Sequence, residues 1–166
     1  MRFRCACCGN DQRGMMALVR KLPESIFCIP EADRAARAKV GSDLCVLDEE
    51  HFFVRAVLPI PVIGSREDFE FGVWGTLKRE NFDIYVEEFD NPSPEFGPFF
   101  SWLSSDLPPY VETFNLPSEL EFRGNNLRPV VRLHSGDHPL ITAQRRGIKI
   151  DRVAEIYRAW SHDVSL

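Results

Sequence analysis

The sequence predicts an α+β fold, in which a mostly antiparallel β-sheet carries helices on one face. Residues 51–63 are rich in phenylalanine and valine, which are common in strands. In residues 69–74, Phe69, Phe71 and Val73 alternate with Glu70, Gly72 and Trp74, which is the period of two typical of a strand. Within residues 82–89 and 153–160, apolar side chains recur at helical spacing (i, i+3, i+4, i+7). These two periodicities predict a sheet flanked by amphipathic helices.

The N-terminal part of the chain is predicted to pass from a loop into a helix. Residues 1–14 contain three of the five cysteines and show no helical periodicity, which predicts a cysteine-containing knuckle or loop. Residues 15–21 follow as a short strand or turn. Residues 30–39 begin with proline and acids and end with bases, the order that a helix dipole favours, and Gly41 provides a stop.

The central part is predicted to be a β-hairpin preceded by a short strand. Residues 43–47 form the short strand, 48–50 a turn, and 51–63 and 69–74 the antiparallel pair. Proline cannot donate a hydrogen bond to a β-ladder, so Pro59 and Pro61 place the end of the long strand at an edge or outside the sheet.

The C-terminal half is predicted to alternate between helices and a second hairpin. Residues 78–89 form an amphipathic helix that Pro92 and Pro94 end, and the aromatic segment 99–107 forms a short helix over the core. Residues 120–122 and 130–134 form the second hairpin, with its second strand near an edge because of Pro129. A C-terminal amphipathic helix covers residues 151–162, capped by Asp151.

The length of the chain is that of one globular domain, residues 1–166. A folded chain of this size buries roughly 70% of the surface that its unfolded form exposes, so it needs neither a disulfide nor a metal to hold a core. It contains no apolar stretch of about 18 residues and no apolar leader of roughly 7–15 residues. We therefore expect a cytoplasmic domain that does not enter a membrane.

Charge is distributed unevenly along the chain, whose formal net charge is −5. Residues 41–122 hold 17 acidic and 4 basic side chains, whereas residues 1–40 and 123–166 each hold 8 basic and 4 acidic ones. Such an acidic centre repels phosphate and argues against nucleic-acid binding there, while it would steer a basic partner toward the chain. Alternatively, the acidic centre folds against the basic ends or is simply solvated.

Short motifs over nearly the whole chain carry a family resemblance. They are Phe3-x-Cys5-x-x-Cys8-Gly9, Ser42-Asp43-Leu44-Cys45, His51-Phe52-Phe53-Val54-Arg55, Phe71-Gly72-Val73-Trp74, Trp102-Leu103, Leu127-Arg128-Pro129, His138-Pro139-Leu140 and Gln144-Arg145-x-Gly147-Ile148. In this order they resemble the bacterial domain-of-unknown-function family 2199. No activity is established for this family, so the resemblance does not assign one to this chain. The family pattern has a histidine three residues after the cysteine-glycine pair, where this chain has Gln12, a poor zinc ligand.

Cys5 and Cys8 are the candidate zinc ligands, because two thiolates at this spacing can hold one tetrahedral ion. A structural site needs four ligands, and the chain lacks a second Cys-x-x-Cys pair. His138, four residues after His134, is the candidate for a further ligand. The alternatives are a thiol cluster without metal, or redox catalysis by a thiol of lowered pKa.

Two further patterns have both a catalytic and a structural interpretation. His138 follows Asp137 and could serve as a general base, but a loop histidine that caps backbone groups is the alternative. The arginines of the C-terminal half could clamp an anion or pair with the acidic helix: Arg123, Arg128, Arg132, Arg145 and Arg146. Nucleophile-elbow and phosphate-loop motifs are absent from the sequence, which favours binding over catalysis.

The acidic helix and the aromatic segment after it are the predicted partner-binding surface, because acids that surround aromatics suit a basic protein. The predicted residues are Glu80, Asp83, Glu87, Glu88, Asp90 and Trp102. We therefore expect a non-catalytic interaction domain, by analogy of the immunity or adaptor type. The alternatives are a solvated helix, a zinc-stabilised structural domain, and an enzyme that uses a metal or the arginines.

Overall fold

The fold is described from a computed structural model, for residues 2–4, 11–89 and 96–161, with side chains for 14–89 and 96–160. The strands are β1 (Arg2–Arg4), β2 (Asp11–Arg13), β3 (Leu18–Val19), β4 (Ala38–Val40), β5 (Leu44–Leu47), β6 (His51–Ile60), β7 (Phe69–Leu77), β8 (Phe99–Trp102), β9 (Pro117–Glu121) and β10 (Val130–Leu133). The helices are α1 (Glu24–Phe27), α2 (Glu31–Arg37), α3 (Arg79–Glu88), α4 (Pro139–Arg146) and α5 (Ile150–Ser161).

The architecture is α+β, as predicted, but the main sheet is mixed rather than mostly antiparallel. Its strand order is β3-β7-β6-β10-β9-β8, and β5 joins β4 to the first half of β6. The pairs β3–β7 and β6–β10 are parallel. Local sequence patterns predict hairpins, whereas both parallel pairs join strands that are far apart in the chain. The sequence therefore indicated the hairpins and not the parallel contacts.

The long hairpin β6–β7 is confirmed and forms the centre of the sheet. Its register runs from Phe52 opposite Leu77 to Ile60 opposite Phe69. β6 ends before Pro61, but Pro59 remains inside the strand, opposite Glu70. The N–H of Val57 donates to the carbonyl of Pro129, so the nitrogen of Pro59 also faces the β10 side of β6, beyond the position where β10 pairs. Proline is tolerated there because no ladder bond is lost.

Several other predicted elements are confirmed, and others differ. β5, α3, α5 and the antiparallel pair β9–β10 lie close to their predicted positions. The segment predicted as a helix over 99–107 instead begins with β8, and α4 was not predicted. β10 lies between β6 and β9, so Pro129 does not mark an edge. The predicted knuckle has β1 and β2 paired at its two ends, while residues 5–10 lie outside the described residues.

The sheet curls until β8 returns to β7. Gly75 forms an antiparallel bridge with Leu103, and the N–H of Ser104 donates to the carbonyl of Trp74 at 2.7 Å. A Cβ atom added to Gly75 would lie 2.6 Å from the Oγ of Ser101 and 3.1 Å from a methyl group of Leu120. The sheet can close at this point because residue 75 has no side chain.

Replacing Gly75 with alanine is expected to destabilise the protein by about 1–3 kcal/mol, the usual range for overpacking a filled core. The double variant Gly75→Ala with Ser101→Ala removes the nearest clashing atom and should recover part of that loss. Urea denaturation of both variants, and of Ser101→Ala alone, measures the effect. Equal stability of Gly75→Ala and the unchanged protein would contradict the close approach of β7 and β8.

Two apolar clusters occupy opposite faces of the β6–β7 hairpin. The larger cluster contains Val54, Leu58 and Phe71 and is covered by residues of α3, α4 and α5. The smaller cluster contains Phe53 and Trp74 and is covered by Ile26 of α1. Helices therefore contribute to both faces rather than to the one predicted. None of the helices in the described ranges is long and apolar enough to cross a bilayer.

Candidate functional site

A surface groove lies where β7 ends and α3 begins. It has a volume of about 550 Å³ and is bounded by β8 on one side and α1 on another. Its lining is mainly apolar with a polar rim: Ser25, Leu47, Glu50, His51, Phe52, Phe53, Thr76, Leu77, Lys78, Asn81, Phe100, Trp102, Phe114 and Asn115. This mixture is typical of sites that bind through apolar contact and orient the ligand with a few polar groups.

Three aromatic side chains of the groove are unusually exposed. The exposed fractions are 49% for Phe100, 45% for Trp102 and 39% for Phe114. The rings of Phe100 and Trp102 meet edge to face, with their centroids 5.0 Å apart, and the ring of His134 lies 5.6 Å from Phe100. Exposed apolar patches with a polar rim mark interaction surfaces more often than chance placement does.

The alternation of a β-strand explains why two of these rings point outward. Successive side chains of β8 face opposite sides of the sheet, so Phe99 and Ser101 turn inward while Phe100 and Trp102 turn to solvent. The N–H of Trp102 donates to the Oγ1 of Thr76 at 3.0 Å, which fixes β8 beside β7. The backbone therefore holds the Trp102 side chain at the wall of the groove.

The ionisable side chains that line the groove are Glu50, His51 and Lys78. The ammonium of Lys78 lies 3.7 Å from the carboxylate of Glu80, whereas Glu50 forms no ion pair with a described residue. The carboxylates of Glu50 and Glu80 together outnumber the ammonium of Lys78, so the net charge of the groove and its margin is negative.

Of the predicted partner-binding set, Trp102 lines the groove, while Glu80, Asp83 and Glu87 lie on α3 outside that lining. Trp102 shares the groove with Lys78 and Asn81, which lie at the start of α3 beside Glu80. Asp83 is exposed and lies 4.0 Å from Arg79, and Glu87 is exposed one helical turn further along.

The remaining members of that set differ in their surroundings. Glu88 is half-buried, and Asp90 lies outside the described residues. The predicted apolar face of α3 is also narrower than expected, because Val86 is 49% exposed while Phe82 and Tyr85 are buried.

Part of the central negative charge is neutralised by the basic flanks. Ion pairs join the centre to residues 1–40 and 123–166 at distances up to 3.9 Å: Arg20–Asp106, Arg37–Asp48, Lys39–Glu49, Arg128–Asp43 and Arg132–Glu121. The acids that form no ion pair with a described residue include Glu50, Glu67, Glu70 and Glu87. Neutralisation between centre and flanks is thus real but incomplete.

In the pair Asp43–Arg128, Nε and Oδ1 lie 2.7 Å apart. Partial burial alone would raise the pKa of Asp43, but hydrogen bonds from Arg128 and Ser42 hold it below its ordinary value. Burial, and then the nearby charge of Arg128, lowers the pKa of Arg55. Arg128 pairs with Asp43 and Arg132 pairs with Glu121, so neither of these ion pairs involves the acidic helix α3.

Of the other candidate arginines, Arg123 lies beside Arg128, whereas Arg145 and Arg146 lie on a different element. Arg123 donates to the carbonyl of Arg128 at 2.8 Å, and Arg145 and Arg146 lie in the last turn of α4. Cations in the last turn of a helix interact favourably with the helix dipole, so the positions of Arg145 and Arg146 do not require a bound anion as their explanation.

His138 has a structural role at the start of α4. Its Nδ1 accepts a hydrogen bond from the N–H of Leu140 at 3.1 Å, and its Nε2 lies 2.8 Å from the carbonyl oxygen of Val111. An acceptor at Nδ1 requires the proton on Nε2, which then donates to Val111. Both ring nitrogens are therefore engaged with backbone, and a metal ion or a substrate proton would have to displace one of them.

The zinc hypothesis stays a prediction. Cys5 and Cys8 lie outside the described residues. In the described part of the chain, no three side chains of the types His, Cys, Asp and Glu form a group that could hold a metal ion. His134, the proposed companion of His138, instead packs against Phe100.

Sequence reasoning missed the loop side of the groove. Phe114 and Asn115 reach it from the connection between β8 and β9, and Ser25 from α1. Strand alternation over residues 99–102 could have indicated that Phe100 and Trp102 point the same way. No local pattern would have placed Phe114 opposite them.

A family model described as "Uncharacterized protein conserved in bacteria (DUF2199)" matches residues 4–148 of the chain. The matched range spans the groove, including β8 and the start of α3. Comparison with curated proteins gave no match, and comparison with solved structures gave none.

Proposed function

The chain belongs to the DUF2199 family of uncharacterized bacterial proteins, and we propose that it is a non-catalytic interaction domain that binds a basic segment of another protein. The observation that carries this proposal is the groove, whose lining includes the exposed rings of Phe100, Trp102 and Phe114. Aromatic side chains at the centre of an interface supply much of its binding free energy.

The charge near the groove supports a basic partner. Glu50 in the lining and Glu87 on α3 form no ion pair with a described residue, and Glu80 and Asp83 have only distant, exposed partners. Exposed ion pairs of this kind are weak, so an incoming cation can compete for these carboxylates. Charges at the rim of an interface mainly accelerate encounter and select the partner.

The surroundings of His138 support binding rather than catalysis. This histidine was the best candidate for a general base, and its two ring nitrogens are both engaged with backbone groups. An immunity or adaptor role, in which the domain occupies a basic toxin or regulator, fits the proposal by analogy.

Reversing two acids of α3 tests the proposal. The chain is immobilised, a bound bacterial protein is identified by mass spectrometry, and its affinity is measured by calorimetry. We expect Glu80→Lys with Glu87→Lys to weaken binding about tenfold at low salt, and less at high salt, because screening weakens attraction between exposed charges.

The matched control reverses two acids elsewhere. Glu67→Lys with Glu70→Lys makes the same change of charge at exposed positions near the start of β7, away from the groove. It should leave the affinity within about twofold, which is less than 0.5 kcal/mol. A partner whose affinity falls equally with both variants responds to net charge alone, and a partner insensitive to both contradicts the proposed surface.

A further inference from the structure

One edge of β8 faces the groove. On its other edge, β8 pairs with β9, with Phe99 opposite Leu120 and Ser101 opposite Ser118. In an antiparallel pair, alternate residues exchange backbone hydrogen bonds with the partner strand, and the residues between them point their N–H and C=O groups the other way. Which residues of β8 belong to which set decides which backbone N–H and C=O groups a ligand in the groove can reach.

The hydrogen bonds at the end of β8 make that assignment. The N–H of Leu103 donates to the carbonyl of Leu116 at 3.0 Å, so residues 103, 101 and 99 bond toward β9. Independently, the N–H of His134 donates to the carbonyl of Pro117, which turns the backbone of Pro117 and Glu119 toward β10. Phe100, opposite Glu119, therefore points its N–H and C=O away from β9.

β7 covers this edge only in part. The N–H of Ser104 bonds to the backbone of Trp74, but the N–H of Trp102 reaches only the side chain of Thr76. After Leu77 the chain turns into α3. No other described strand pairs with this edge at Phe100, so its backbone groups face the groove.

We propose that the groove binds an extended peptide segment of the partner, which adds as a strand to the edge of β8 at Phe100. This inference rests on the proposed function and specifies its occupant. Backbone hydrogen bonds to Phe100 would align the segment, and alternate side chains would pack against Phe100, Trp102 and Phe114. A helical segment has no free backbone groups along its side and would leave the edge unpaired.

Charge complementarity defines the side chains of the segment. Lys78 is adjacent to Glu80, whereas Glu50 has no ionic partner among the described residues. A lysine or arginine of the segment can pair with Glu50 at the rim while its apolar neighbours enter the groove. The segment thus alternates apolar residues with a cation.

Selection of phage-displayed random peptides on the full chain supplies the probe. We expect the bound peptides to alternate apolar and polar residues and to carry lysine or arginine. Only alternate N–H groups of an added strand bond to the edge strand. N-methylation of the selected peptide at one set of alternate residues should therefore weaken binding at least about tenfold. N-methylation at the residues between them should weaken it by less than about threefold. The amide of Phe100 should exchange with solvent at least about tenfold more slowly in the complex.

Two substitutions of one residue isolate the backbone contribution. Phe100→Ala removes the ring but keeps the N–H, whereas Phe100→Pro removes both. Proline is compatible with an edge N–H that bonds to no neighbouring strand. We expect Phe100→Pro to bind the selected peptide at least about tenfold more weakly than Phe100→Ala. If Phe100→Pro does not fold, the N-methylation series and the exchange rate of the Phe100 amide still test whether the peptide adds as a strand.

The outcomes separate this inference from the proposed function. Helical spacing in the selected peptides, an unchanged exchange rate at Phe100, or the absence of any selected peptide overturns strand addition. None of these results contradicts the proposed function if a folded partner still loses affinity for the double variant Glu80→Lys with Glu87→Lys. Conversely, a peptide that protects Phe100 without any response to those charge reversals supports strand addition and contradicts the acidic surface.

Discussion

The Trp74→Ala variant is expected to lose about 3–5 kcal/mol of unfolding free energy, which is the range for removing a fully buried tryptophan. Trp74 has no exposed surface and packs with Phe53 and Ile26 in the smaller cluster. Its indole N–H donates to the carbonyl of Arg20 at 3.1 Å, and the guanidinium of Arg55 lies 4.9 Å from the ring centroid. The substitution leaves a cavity and removes one of the two hydrogen bonds that the Arg20 carbonyl accepts, the other coming from Arg55 at 3.2 Å.

Two further variants separate these contributions. Trp74→Phe keeps most of the buried ring area but lacks the indole N–H, so it should lose less than Trp74→Ala. Trp102→Ala removes the same side chain from a position that is 45% exposed and should change stability by no more than about 1 kcal/mol. Urea denaturation measures all three. A Trp74→Ala variant as stable as Trp102→Ala would contradict the role of the smaller cluster.

The smaller cluster connects the stability of the fold to the groove. Leu47 and Phe53 belong to this cluster and also line the groove. Ser25 lies in α1 beside Ile26, whose side chain is fully buried in the same cluster. Damage to the cluster should therefore change the shape of the groove before it unfolds the larger cluster on the opposite face of the hairpin.

The sequence was most informative where structure depends on neighbouring residues. The periodicities of α3, α5 and the β6–β7 hairpin are local, and each element was predicted at nearly its observed position. The segment after α3 was predicted as a helix because its aromatic run suggested a cover for the core. In the structure, its first four residues form β8, because pairing with β9 and the close approach at Gly75 override local preference.

The candidate site could be predicted only in part, for a related reason. Trp102 and the acids of α3 follow from composition and helical spacing, and the structure places Trp102 beside the start of that helix. The partners of the central acids are not visible in the sequence, because Asp43 meets Arg128 across 85 residues of chain. Charge counts therefore overstate the negative charge that remains available to a partner.

The second large effect concerns binding rather than stability. Replacing Trp102 with alanine should weaken the partner complex by at least about 30-fold, which corresponds to the roughly 2 kcal/mol that defines an interface hot spot. The backbone N–H of residue 102 would still donate to Thr76, so β8 should keep its position. The loss would then come from the missing ring against which the partner packs.

An exposed apolar side chain outside the groove provides the matched control. Ile63 is 62% exposed and lies beyond the end of β6, opposite to the end that borders the groove. Ile63→Ala should leave partner affinity within about twofold, and calorimetry on both variants compares them directly. If Trp102→Ala binds as tightly as Ile63→Ala while both remain folded, the aromatic groove is not the interface. The partner would then contact the carboxylates of α3 without the rings beside them.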